Sequence, residues 1–144
     1  MVNRSLTIRA DRYGPICNQV SFTDSPNSGD GGGSTPETSE DCLFLNVQSP
    51  ANATKLPVLV WIHGGGYGIG NGRQDFTDLL TVNGNNFMVV SIQYRLGPFG
   101  FLASDEVSRK GVANAGLLDQ FFALQWVQVC RTFGLEWYVV ALED

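Results

Sequence analysis

The sequence has no cluster of lysine or arginine, and its formal charge of −5 has the wrong sign for a nucleic-acid surface. Long apolar runs are missing too. The longest, Leu56 to Ile62, falls far short of the roughly 20 residues a membrane-spanning helix needs. Met1 to Tyr13 is interrupted by Asn3, Arg4, Arg9, Asp11 and Arg12, so it holds no apolar signal-peptide core. Neither G-x-G-x-x-G nor G-K-[ST] occurs, which excludes the dinucleotide and P-loop fingerprints. No internal repeat and no metal-ligand set is visible. Cysteine is scarce: three residues leave one over if any two pair. With 144 residues, 43% hydrophobic and 16% charged, the chain has the length and composition of one globular domain and not of two.

What is present is organised around Leu56 to Gly70, LPVLVWIHGGGYGIG. Pro57 to Ile62 is an apolar, β-branched run closed by glycines, which predicts a strand buried on both faces, as in a parallel sheet. After His63, three consecutive glycines carry the backbone off the sheet edge with no Cβ to block an approaching ligand. Bare N–H groups there suit a developing negative oxygen. A tight glycine turn with no chemistry fits the same residues.

Around this stretch the chain reads as alternating strands and helices. Tyr13-Gly14-Pro15 is a turn signal, and Asp24 to Ser39, DSPNSGDGGGSTPETS, is a mobile surface flap by composition. Ser39 to Val47 has strand periodicity, with Leu43, Leu45 and Val47 on one face. Asp75 to Val82 predicts a short helix, Phe87 to Tyr94 a second buried strand, Gly97 to Gly100 a turn, and Trp137 to Leu142 a third strand. Asn114 is placed to cap a helix from Ala115 to about Val129. Its stripes Leu117, Phe121, Leu124 and Leu118, Phe122, Trp126 predict a wide apolar face packed on the sheet; a bundle helix would look the same, but the neighbouring strands favour a β/α layer. Cys17 and Cys42 bracket the flap, and a bridge between them would contribute roughly 3–4 kcal/mol in the chain-entropy model. Two reduced cysteines satisfy the spacing equally. Asn3-Arg4-Ser5 and Asn52-Ala53-Thr54 match the N-glycosylation pattern, at a frequency chance also gives.

Four segments stand in order: SEDCLFLNV, VWIHGGGY, SIQYRLGPFGFL and NAGLLDQ with its ALQWVQ tail. Together they resemble the type-B carboxylesterase/lipase family, which includes cholinesterases and secreted fungal lipases. The resemblance covers roughly Cys17 to Gln128 and implies an α/β fold: a partial α/β-hydrolase, the N-terminal part of the sheet with a flap loop and one long helix. It implies oxyanion-hole amides at Gly65 and Gly66, an acyl-pocket lining residue at Tyr67, and a disulfide between Cys17 and Cys42 that closes a lid-like loop at 24–39. It also implies a structural ion pair between Arg95 and Asp119, for which a solvated helix aspartate is the plain alternative. The implied ligand is a small-molecule or lipid ester, without cofactor, metal, nucleic acid or membrane span. Oligomeric state is not implied. Relatives with the cysteine pair are mostly exported, in tension with the missing leader.

The pattern breaks after Gln128. The divergent tail, residues 129–144, reads VCRTFGLEWYVVALED, where relatives run through an FGGDP-like loop into a G-E-S-A-G elbow. Phe133-Gly134 is a remnant of that loop, or a frame change or faulty splice follows Gln128. No G-x-S-x-G occurs, and the only histidine, His63, lies in the glycine loop and is expected to shape that loop instead of acting as a base. The expectation is a carboxylic-ester hydrolase portion that carries the oxyanion loop without nucleophile, acid or base, and is inactive alone. A non-catalytic, cholinesterase-like adhesion or binding module is the alternative.

Overall fold

The computed structural model describes residues 10, 12–20, 36–51, 55–130 and 139–142. Most of the 24–39 loop, both N-glycosylation patterns, and Phe133-Gly134 lie outside the described residues. Strands β1 (Leu45–Gln48), β2 (Val58–Trp61), β3 (Met88–Ile92) and β4 (Val139–Leu142) form one sheet in the order β1-β3-β2-β4. β1 runs antiparallel to β3, while β2 pairs in parallel with β3 on one side and β4 on the other.

Alternation along the central strands divides the core into two layers. Val58, Val60 and Ile62 face the same way as Met88, Val90 and Ile92, over Leu96 and Val127. Val89 faces the opposite way, with Leu59 and Trp61, onto Phe76 and Leu80. Helix α1 (Thr77–Val82) therefore covers one face and helix α4 (Ala115–Cys130) the other. Coverage on both faces is what lets β2 and β3 be apolar at nearly every position.

The connection β2–α1–β3 steps one way across the sheet, and β3–α4–β4 steps back past β2. Loops leaving β2 and β3 consequently diverge to opposite faces. Such a switch point opens a crevice at the carboxyl ends of the strands. The glycine stretch leaves β2 there.

Several expectations change. Gly97 to Gly100 is not a turn: α2 (Gly97–Phe101) is a short helix, with Pro98 in its first turn where a missing N–H costs nothing. A further helix, α3 (Asp105–Lys110), fills the following segment. The Ser104 hydroxyl caps it by accepting from the Val107 N–H at 3.1 Å. Asn114 does precede α4, but in the left-handed region at φ 58°, and its main-chain carbonyl accepts from Leu117 and Leu118. The expected apolar face of α4 is mostly turned away from the sheet. Leu117, Leu118, Phe121, Phe122 and Trp126 are exposed, whereas Gly116, Asp119, Gln120 and Val127 are buried. The helix is apolar nearly all round, so large side chains on its outer side carry no information about which side meets the sheet. Leu43 and Val47 of the expected β1 face are likewise exposed; Leu45 packs against the core.

Candidate functional site

His63 lies two residues past the end of β2 and is buried. Its ring stacks on Tyr94 with centroids 4.4 Å apart, and the Tyr94 hydroxyl donates to the His63 carbonyl at 2.6 Å. Nδ1 lies 3.0 Å from the Gly64 carbonyl oxygen. A carbonyl only accepts, so Nδ1 carries the proton and Nε2 presents a lone pair in the neutral ring. Burial pushes the imidazole below its ordinary value of 6.5, opposed in part by the bond to Gly64. Nε2 is buried and meets no partner among the described residues, so no hydroxyl is held there for activation.

The chain then turns sharply. The Gly65 carbonyl accepts from the N–H groups of Gly68 at 3.1 Å and Ile69 at 3.2 Å. Gly65 has φ 118° and Gly66 φ 59°. At Gly65 a side chain is excluded twice, by that φ and by the Ile69 carbonyl, into which a Cβ would project. Both residues are exposed. No hydrogen bond among the described residues takes up the N–H of either one. Tyr67 is held at φ 58°, a conformation rare outside glycine and asparagine. Its carbonyl accepts from the Gly97 N–H at 2.7 Å, and its half-exposed ring tilts against Phe101 with centroids 4.6 Å apart.

Polar residues on β1, on and just past β3, and on one strap fix the far end of the loop. The Gly72 carbonyl accepts from Asn46 at 2.8 Å and Ser91 at 2.7 Å, while its N–H reaches Gln93 at 3.3 Å. The strap is Cys17 to Val20. Cys17 is joined to Cys42 by a disulfide spanning 25 residues. Two residues on, the Gln19 amide clamps Gly70 from both sides: Nε2 donates to the Gly70 carbonyl at 2.9 Å and Oε1 accepts from its N–H at 2.6 Å. The Val20 N–H donates to the Gly68 carbonyl at 2.7 Å. Sequence reasoning missed Gln19, whose partner is 51 residues away. The only local signal was its position beside Cys17.

Arg95, just past β3, grips Asp119 of α4 with Nε and one terminal nitrogen, each at 2.7 Å; the Arg95 main-chain N–H adds a third bond at 3.1 Å. The hydrogen bond to Asp119 raises the guanidinium further above its usual range. Asp119 is buried, but the Arg95 side chain is 40% exposed, so the pair contributes less than the about 3–5 kcal/mol typical of breaking a fully buried one. His63, Gly66 and Tyr67 line a cavity of about 130 Å³ together with Tyr94 and Gln120. The Arg95–Asp119 pair and the disulfide lie outside its wall and hold the elements that form it. Of the two glycines whose N–H groups take no hydrogen bond among the described residues, Gly66 lines this cavity and Gly65 stands beside it in the chain.

The sequence pattern of the Carboxylesterase family matches residues 4–134. The chain belongs to the carboxylesterase family. It is similar to the para-nitrobenzyl esterase of Bacillus subtilis (strain 168), at 43% identity over 128 residues, covering 83% of this chain and 24% of that protein. The liver carboxylesterase of Sus scrofa is 48% identical over 97 residues, covering 65% and 17%. Among solved structures, Aspergillus niger EstA superimposes with a TM-score of 0.72 at 38% identity, covering 90% of this chain and 25% of that one. A thermophilic PNB esterase gives 0.73 at 38% identity, covering 90% and 27%. The chain thus spans only 17–27% of the length of these carboxylesterases. Its β/α layers are part of an α/β-hydrolase fold. No helix among the described residues is long and apolar enough to cross a membrane.

Proposed function

We propose that this chain is the portion of a carboxylic-ester hydrolase that supplies the oxyanion loop, and that by itself it does not turn over esters. The observation that carries the proposal is the pair of exposed, unused N–H groups at Gly65 and Gly66, at the switch point after β2. Attack on an ester carbonyl moves negative charge onto its oxygen. Donors aimed at that oxygen lower the barrier, and removal of one such donor typically costs about 3–4 kcal/mol. Gly65 and Gly66 are two of the donors, with a third expected from the residue after a nucleophilic serine. Tyr67 lines the acyl side of the pocket, the 24–39 loop acts as its lid, and the substrate is a small-molecule or lipid ester.

An oxyanion hole assists a nucleophile and does not replace one. The sequence has one histidine, with Nδ1 committed to Gly64, and no G-x-S-x-G. Residues 135–144 are accordingly given no catalytic role. Two measurements test the reading. The purified chain is expected to leave a short-chain p-nitrophenyl ester intact; serine-dependent turnover blocked by an organophosphate would refute its inactivity. In amide hydrogen exchange, Gly65 and Gly66 are expected to exchange freely while Gly68 and Ile69 are protected. Protection at Gly65 and Gly66 would remove the oxyanion assignment.

A further inference from the structure

Two buried polar side chains in the wall of the cavity beside Gly66 have no part in stabilising charge on an ester oxygen. His63 is 6% exposed and Gln120, on α4, is 7% exposed. Nε2 of His63 meets no partner, and no hydrogen bond among the described residues engages the Gln120 side-chain amide. Buried polar groups left unmatched by protein are served by water or by a ligand. Nε2 is shut off from bulk solvent, and the cavity is the open space that its ring borders.

The chemistry of the wall narrows what can serve these groups. Ile62, Gly64, Gly66, Tyr67 and Tyr94 complete it, so no carboxylate, ammonium or guanidinium lines the cavity. A charged ligand would lose hydration there without gaining a counter-charge. Nε2 can only accept, because Nδ1 holds the ring proton against the Gly64 carbonyl. A ligand with only carbonyl or ether oxygens leaves it unmatched. A hydroxyl both donates and accepts, matching Nε2 and either end of the Gln120 amide.

We propose that Gln120 and His63 form a subsite for a neutral hydroxyl group, so that the esters seated against Gly66 are short and hydroxylated near the carbonyl. At about 130 Å³ the cavity has room for a few non-hydrogen atoms and not for a long acyl chain. Water and the ester both carry hydroxyl groups. An ester hydroxyl that reproduces the bonds of a bound water displaces it without loss, whereas an apolar group in its place does not. The inference rests on reading Gly65 and Gly66 as oxyanion donors, and different signals report on the two sites.

The test titrates the full isotope-labelled chain, dilute enough to stay dispersed, with methyl lactate and with methyl propanoate, which lacks only the hydroxyl. By nuclear magnetic resonance, methyl lactate is expected to shift the Gln120 side-chain amide and the His63 Nε2 signal. It is expected to bind about tenfold more tightly than methyl propanoate. Gln120→Leu keeps most of the volume and removes the polar atoms, and is expected to make the two esters bind alike. Far-UV circular dichroism checks that the variant keeps its secondary structure. If it does not, a nuclear Overhauser contact between the Gln120 amide protons and the lactate methine of the parent complex decides, and its absence overturns the inference. Equal affinity of the parent for both esters also overturns it, as does a preference that survives Gln120→Leu, or a Gln120 amide that contacts water alone. Should methyl lactate and ethylene glycol shift Gln120 while the Gly65 and Gly66 amides stay still, the hydroxyl subsite stands and the oxyanion proposal falls. Should both esters move those amides alike and leave Gln120 unmoved, the oxyanion proposal stands and the hydroxyl subsite falls.

Discussion

His63 combines a buried ring, a committed Nδ1 and a lone pair at Nε2 that no group among the described residues meets. The folded chain therefore favours the neutral imidazole, while the unfolded chain protonates near 6.5. Below that pH the unfolded state binds the extra proton, so stability rises with pH. The contribution is complete above about pH 6.5 and is lost as pH falls beneath it, until the native ring is protonated too. Urea midpoints are expected to decline from about pH 7 to about pH 5, a window largely above ordinary carboxylate titration. His63→Gln retains an N–H donor for the Gly64 carbonyl but cannot titrate, so its midpoint is expected to stay flat. An equal slope in the variant would mean that His63 is not the responsible group. The same residue illustrates what a sequence conveys: HGGG signals the loop, whereas the Tyr94 ring stacked on the buried histidine comes from just past β3, 31 residues away.

At the scale of elements, the Gly64–Gly70 loop is tied to the Cys17–Val20 strap by three hydrogen bonds. Gly64 to Gly70 contains five glycines and little to hold a turn in one shape. Gln19→Ala removes both bonds to Gly70 and is expected to cost about 1–3 kcal/mol, with faster exchange of the Gly70 amide. Replacing both Cys17 and Cys42 by serine is expected to cost roughly 3–4 kcal/mol and to accelerate exchange at Val20 as well as Gly70. Unchanged protection of Gly70 in Gln19→Ala would show that the strap is not what shapes the loop. The strands were legible because β-branched runs closed by glycine have few other uses, and α4 because its length exceeds any strand. The α3 signal was present as well: Ser104 ahead of Asp105 and Glu106, then Arg109, Lys110 and a stopping glycine complement the helix dipole at both ends. The α2 segment misled because GPFGF contains two glycines and a proline, and packing rather than propensity makes it helical. The facing of α4 was not legible at all. Periodicity locates a buried stripe only when the opposite side is polar, and here the sheet side includes Asp119 and Gln120.

At the scale of the whole molecule, those inverted faces set solution behaviour. β2 and β3 are covered by α1 and α4, so the centre of the sheet is as protected as in any doubly covered layer. Apolar surface accumulates instead on the outside of α4, while β4 is paired on one side only among the described residues. A net charge of −5 opposes association of copies, but screening limits its reach to about 8–10 Å at physiological ionic strength. Contact between apolar faces is not screened, and the chain is expected to self-associate as its concentration rises. The variant Phe121→Glu, Phe122→Glu discriminates between the two sources. Both side chains are more than half exposed, so the core beneath them is untouched while two like charges enter the centre of the patch. Static light scattering is expected to show the variant monomeric at concentrations where the parent scatters strongly. If parent and variant associate alike, the β4 edge drives the process, because hydrogen-bonded strand addition is indifferent to charge on the outer side of a helix.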